Sequence, residues 1–227
     1  MSDAGGAGDP AGQVFADRAA GGRALGRRLL DARLDRPVVL GLPRGGVVVA
    51  VEVAAILDAE VDVLVARKIG HPRQPEYGLG ALAEGGEPVY DAEALRRSGL
   101  RPEDLEHVVA AEREELARRV TAYRGDRRLP DLRGRTVVLV DDGVATGVTA
   151  RAALRALRER RPDRLVLAAP VAAGRSLAEL AAEVDETVVV LAPEPFSAVG
   201  RWYHSFGQTT DAEVQALLAS RPGRRSR

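Results

Sequence analysis

The chain repeats one pattern: a short apolar run with no polar alternation, then a loop of glycine, proline or charge, then a segment of helical period. The apolar runs fall at 37–42, 61–66, 136–140, 164–169 and 187–191. Runs of this length without period-two alternation predict strands buried on both faces. Between them, apolar or small residues recur at helical spacing. Phe15, Ala19, Gly22, Leu25 and Leu29 predict a helix within 15–34, and Leu105, Val108, Val109, Leu116, Val120 and Tyr123 predict a long covering helix over 102–123. Pro102 suits the first position of that helix. Further helices are expected over 47–57, from about 149 to Arg160, over 176–184 and over 211–218. Strands separated by helices need right-handed crossovers. The pattern therefore predicts an α/β fold with a mostly parallel five-stranded sheet flanked by helices.

Two regions break the alternation. Residues 70–80 are so rich in glycine and proline that they read as a long loop, and long loops in compact domains are commonly lids. The stretches 80–84 and 88–90 read as a short hairpin about Gly85 and Gly86. Residues 1–14 read as a disordered tail and 221–227 as a basic tail, leaving a single domain over 15–220.

Charge removes several partner classes. The 33 basic and 33 acidic residues cancel, so no net field suggests nucleic acid or an anionic membrane as partner. Zero cysteines exclude disulfides and thiolate metal sites. The first residues lack the basic and apolar segments of a signal peptide, and the most apolar window, 46–66, is interrupted by Glu52, Asp58, Glu60 and Asp62. A soluble, cytoplasmic protein is expected.

The densest chemistry lies at 136–149. The strand 136–140 ends at Asp141 and Asp142, followed by the loop Gly143, Val144, Ala145, Thr146, Gly147, Val148 and Thr149, and then a helix. Backbone N–H groups turned inward by glycines, two hydroxyls and a helix N-terminus suit a phosphate. The two carboxylates would repel that phosphate, so they face either sugar hydroxyls or a divalent cation. A ribose 5-phosphate meets both demands. A Walker loop is excluded because no Gly-Lys occurs, and no Gly-x-Gly-x-x-Gly follows a strand. A second strand, turn and helix places Arg44, Gly45 and Gly46 after Pro43, another anion site built from backbone N–H groups. Arg67 and Lys68 follow the strand 61–66, at the edge where open α/β sheets bind ligands.

The run of aliphatics, two acids and Thr-Gly-x-Thr resembles the phosphoribosyl diphosphate (PRPP) loop of type I phosphoribosyltransferases. The resemblance covers most of 15–219 and is to bacterial members of unknown acceptor. It implies that Gly143 to Thr149 hold the 5-phosphate, that Asp141 and Asp142 hold the ribose hydroxyls directly or through Mg2+, and that Arg44, Gly45, Gly46, Arg67 and Lys68 meet the pyrophosphate. In this family the loop after the first core strand often has an unusual peptide geometry, and the stretch 42–46 is similar to it. The resemblance further implies a hood from 15–34 and 193–219, with Phe196, Val199 and Trp202 as walls for the acceptor, and a flexible loop and hairpin over 69–90. His71, Arg73, Glu76 and Tyr77 of that loop have no assigned role, and Arg18 or Arg23 of the first helix would reach the site. The residues themselves leave two readings of the aromatics at 196–206: stacking on a flat base, or anchoring the C-terminal helix.

The expected activity is Mg2+-dependent transfer of the phosphoribosyl group from PRPP to a nitrogenous acceptor, with pyrophosphate released. A PRPP-sensing or nucleotide-sensing regulator without turnover is the alternative, and a sugar-phosphate hydrolase a third. Purine-salvage members carry an aspartate where this chain has Ala145, which disfavours guanine and hypoxanthine. Family members commonly dimerise, so a homodimer is an expectation.

Overall fold

Five parallel strands, β1 (Val38–Gly41), β2 (Glu60–Val63), β6 (Thr136–Val140), β7 (Arg164–Val171) and β8 (Glu186–Leu191), form one sheet in the order β2-β1-β6-β7-β8. This is a computed structural model, and it describes residues 14–220. The tails expected over 1–14 and 221–227 lie, Val14 apart, outside the described residues. Successive residues of β6 are buried in opposite layers. Val138 and Val140 pack with Leu25, Leu29, Val49 and Val214, whereas Val137 and Leu139 pack with Leu154, Leu157 and Leu180. Burial on both faces is why the strand shows no polar alternation.

Helices α1 (Arg18–Leu29), α2 (Gly45–Leu57), α4 (Glu106–Arg124) and α7 (Asp211–Ser220) contribute to the first layer, and α5 (Val148–Arg158) and α6 (Gly174–Leu180) to the second. A seven-residue helix, α3 (Ala92–Ser98), was not among the predicted elements; Asp91 caps its N-terminus and Gly99 closes it in the left-handed conformation.

The chain moves from β1 outward to β2, then returns to β6 on the other side of β1 and continues to β7 and β8. The order therefore reverses between β1 and β6, and open α/β sheets bind ligands at the carboxyl ends of strands at such a switch point.

The strand expected over 61–66 is shorter than its apolar run. After Val63 the chain leaves the sheet, and a second, antiparallel sheet begins with β3 (Ala66–His71), β4 (Gln74–Ala83) and β5 (Val89–Tyr90). Arg67 and Lys68 thus lie inside β3 rather than beyond a parallel strand. The long loop expected over 70–80 is likewise corrected: it is the β3–β4 hairpin, turning at Pro72 and Arg73, with its register irregular about Gly70. Proline is tolerated there because Pro75 lies in the exposed half of β4, where strand proline is confined to edges and bulges. The hairpin about Gly85 and Gly86 is present, pairing Gly80 with Tyr90 and Ala81 with Val89.

A buried arginine fixes the passage from one sheet to the other. Arg124 donates to both carboxylate oxygens of Glu84 at 2.7 Å and to the Val63 carbonyl at 2.8 Å, and lies 3.6 Å from Asp62. It joins the end of β2 to the end of β4.

Candidate active site

At the switch point the turn after β1 lies directly against the end of β6. Leu42 donates its N–H to the Val140 carbonyl at 2.8 Å, and a Cβ on Gly46 would lie 3.0 Å from the Asp141 Cα. A Cβ on Gly45 would lie 2.7 Å from the Asp142 Cγ and 2.6 Å from the Arg18 Nε. Both glycines are required by this close approach. The Pro43–Arg44 peptide bond is cis.

The loop after the acidic pair is secured from behind. Val144 bridges to Ala172 through bonds with the Val171 carbonyl and the Ala173 amide, and the Ser176 hydroxyl donates to the Ala145 carbonyl at 2.5 Å. Gly147, at φ +72, turns the backbone into α5. No acceptor among the described residues takes the amides of Ala145, Thr146 and Gly147, and the first amides of α5 have no intrahelical partner. Lys68, Val199 and the residues from Asp141 to Ala150, except Val148, line a cavity of about 240 Å³.

Lys68 and Thr149 also line a neighbouring cavity of about 630 Å³, together with Pro43, Arg67, His71, Glu76 and, from α4, His107, Glu112 and Arg119. The structure therefore divides the Arg67-Lys68 pair. Arg67 donates from Nε to Glu112 at 2.7 Å, while Lys68 is exposed between the two cavities. Arg44 lines neither cavity; its guanidinium lies 3.8 Å from Asp211, which also accepts from the Tyr123 hydroxyl at 2.5 Å. Arg73 and Tyr77 are exposed, and the Tyr77 ring lies 6.4 Å from that of His71.

Electrostatics distinguish the two carboxylates. Burial first, and then the Asp142 carboxylate, push the Asp141 carboxyl well above the usual carboxylate range, against the pull of the Asp142 amide, Lys68 and Arg18. Asp142 is held by an ion pair with Arg18, Nε to Oδ2 at 2.6 Å, and its main-chain carbonyl accepts from the Tyr203 hydroxyl at 2.5 Å. Burial, and next to it Asp142, raise the Tyr203 phenol, keeping it a donor. Arg23, the other candidate of the first helix, instead faces Glu52 at 3.5 Å.

Among the described residues no cluster of three or more His, Asp or Glu side chains is assembled for a metal. Mg2+ commonly binds through one or two carboxylates plus substrate phosphates and water. Asp141 and Asp142, which both line the smaller cavity, are the carboxylates that would hold such a cation, directly or through water.

The stretches expected to form a hood are joined. Phe15 bridges to Tyr203, with the Phe15 amide donating to the Trp202 carbonyl at 2.9 Å and the His204 amide to the Phe15 carbonyl at 2.8 Å. Phe196, Val199 and Trp202 pack against Phe15, Val171, Leu191 and Tyr203. Val199 alone of the three lines the smaller cavity, lying over Gly143. Sequence reasoning gave Tyr203 and Phe206 no individual role within the aromatic stretch 196–206, which has no period, and passed over Glu112, which lies on a helix face that resembles ordinary solvated charge.

Comparison with known proteins gives the family. The family described as phosphoribosyl transferase domain matches residues 13–198. Two Mycobacterium tuberculosis proteins, from strains H37Rv and CDC 1551, carry provisional phosphoribosyl transferase names and are each 44% identical over 206 residues, 91% of this chain. The chain spans about half the length of these curated relatives, 46%. The crystal structure of TT1426 from Thermus thermophilus superposes with a TM-score of 0.78 at 45% identity, covering 92% of this chain and 100% of that one.

Proposed function

This chain belongs to the phosphoribosyl transferase domain family, and we propose that it transfers the 5-phosphoribosyl group of PRPP to a nitrogenous acceptor, releasing pyrophosphate. The observation that carries the reading is the smaller cavity, where an amide-rich loop, two hydroxyls, an acidic pair and Lys68 converge.

In this reading the amides and hydroxyls from Gly143 to Thr149 bind the 5-phosphate, helped by the positive end of α5. Asp141 and Asp142 accept from the ribose hydroxyls. Lys68 stands between the phosphate cavity and the larger one, so pyrophosphate leaving into the larger cavity meets Lys68 first and then Arg67 and His71. Breaking the bond at ribose C1 leaves an oxocarbenium-like sugar, and cations already in place stabilise the charge developing on the leaving group. Mg2+, when bound, would offset further charge on the pyrophosphate oxygens. Val199 walls the cavity over Gly143. No residue of the site is required to form a covalent intermediate.

The test is pyrophosphate release from PRPP and Mg2+ with a panel of nucleobases and other nitrogenous acceptors. Release dependent on one acceptor supports transfer. Tight PRPP binding with no release for any acceptor favours a sensor, and release of phosphate without an acceptor favours a hydrolase.

A further inference from the structure

Arg18 and Asp142 are 124 residues apart in sequence and joined by a charge-assisted hydrogen bond of 2.6 Å, with side chains only 13% and 17% exposed. The guanidinium is held at two further points. Its Nη1 donates to the Gly207 carbonyl at 2.7 Å, and its carbon lies 3.7 Å from the centroid of the Phe206 ring, which itself stacks on Tyr203 at 5.1 Å. Tyr203 returns to Asp142 through its hydroxyl. Gly45 closes the remaining side, with no room for a Cβ between its backbone and the Asp142–Arg18 pair.

The sequence of α1 is built to deliver this contact. Asp17 caps the helix by accepting from the Ala20 amide at 2.7 Å, which fixes Arg18 as its first residue. A Cβ on Gly22 would clash with Glu52 and Val49 at 2.8 Å, and one on Gly21 would crowd Pro170 at 3.1 Å and Tyr203 at 3.2 Å. Glycine inside a helix costs about 1 kcal/mol relative to alanine, and here it allows α1 to lie close against α2 and β7.

From this geometry we infer that Arg18 is a positioning residue: it neutralises and immobilises Asp142, fixing that carboxylate in the wall of the cavity beside Asp141. The inference rests on the phosphoribosyl reading of the site and makes the acidic pair unequal. Asp142 is held by Arg18 and the segment Tyr203 to Gly207, and it lines the cavity together with Asp141 and Lys68.

The test measures PRPP affinity in the presence of Mg2+ for the native chain, Arg18→Gln, Arg18→Lys, Asp142→Asn, Asp141→Asn and the doubles of Arg18→Gln with each aspartate variant. Arg18→Gln and Asp142→Asn are each expected to weaken binding about tenfold, and their double no more than either alone, because they break one contact. Arg18→Lys, which keeps the charge but cannot hold Asp142 and Gly207 in one planar fork, recovers part of the loss. Asp141→Asn combined with Arg18→Gln is expected to be additive. Native affinity in Arg18→Gln, or additive losses for Arg18→Gln with Asp142→Asn, overturns the inference. If the native chain has no affinity for PRPP, the phosphoribosyl reading fails instead. The Arg18–Asp142 coupling is then read from thermal unfolding of the same variants, where additive changes in Tm overturn it and non-additive ones sustain it.

Discussion

Gly45 lies so close to Asp142 that a methyl group on the glycine would occupy the space of the carboxylate and of the Arg18 Nε bonded to it. Gly45→Ala is therefore expected to separate Arg18 from Asp142 while leaving the sheet intact. Overpacking of this kind costs about 1–3 kcal/mol. The expected readout is a modest fall in Tm with a loss of PRPP affinity of about tenfold or more, measured by calorimetry.

Lys68 is exposed on β3 and lines both cavities. Substituting such a residue usually changes stability by no more than about 0.5 kcal/mol. Lys68→Ala should accordingly leave Tm near the native value and raise the KM for PRPP roughly tenfold, an effect that grows smaller as salt screens the native lysine. Steady-state kinetics at two ionic strengths would check it.

Arg124 is the opposite case, a buried cation shared by Glu84, Asp62 and the Val63 carbonyl. Removing one partner of a buried ionic group costs about 3–5 kcal/mol, since the remaining charges stay desolvated. Arg124→Ala is expected to lower Tm by several degrees and to loosen the passage from β2 into β3, which urea unfolding and hydrogen exchange over 63–84 would reveal.

A pH effect follows from Tyr123. Burial, then its hydrogen bond to Asp211, push the phenol up to about 12 from an ordinary value near 10. Because the folded value lies above the unfolded one, the contribution is complete below pH 10 and is lost as pH rises through about 12. The stability difference between the native chain and Tyr123→Phe should shrink across that window, as followed by denaturant unfolding at fixed pH steps.

What was legible in the sequence was what depends on local pattern. The strand at 136–140 announced itself because burial on both faces leaves no polar position, and Asp141 and Asp142 marked its end. The same rule extended β2 too far, since Leu64, Val65 and Ala66 are equally apolar and buried yet already outside the five-stranded sheet, Ala66 opening β3. Gly70, Pro72 and Pro75 read as breakers, whereas a two-residue turn and an exposed strand end accommodate them. The link between Arg18 and Asp142 was beyond any spacing rule. Family resemblance pointed toward Arg18, but only the packing of α1 on α2 shows which carboxylate it meets.

The most direct test of the account is thermal unfolding of the native chain and of Asp141→Asn, each with and without PRPP and Mg2+. A ligand at a hundred times its dissociation constant adds about 2.7 kcal/mol, several degrees for a domain of this size. The account predicts a Mg2+-dependent rise in Tm for the native chain that Asp141→Asn loses. No rise at millimolar PRPP, or an equal rise in the variant, would contradict it.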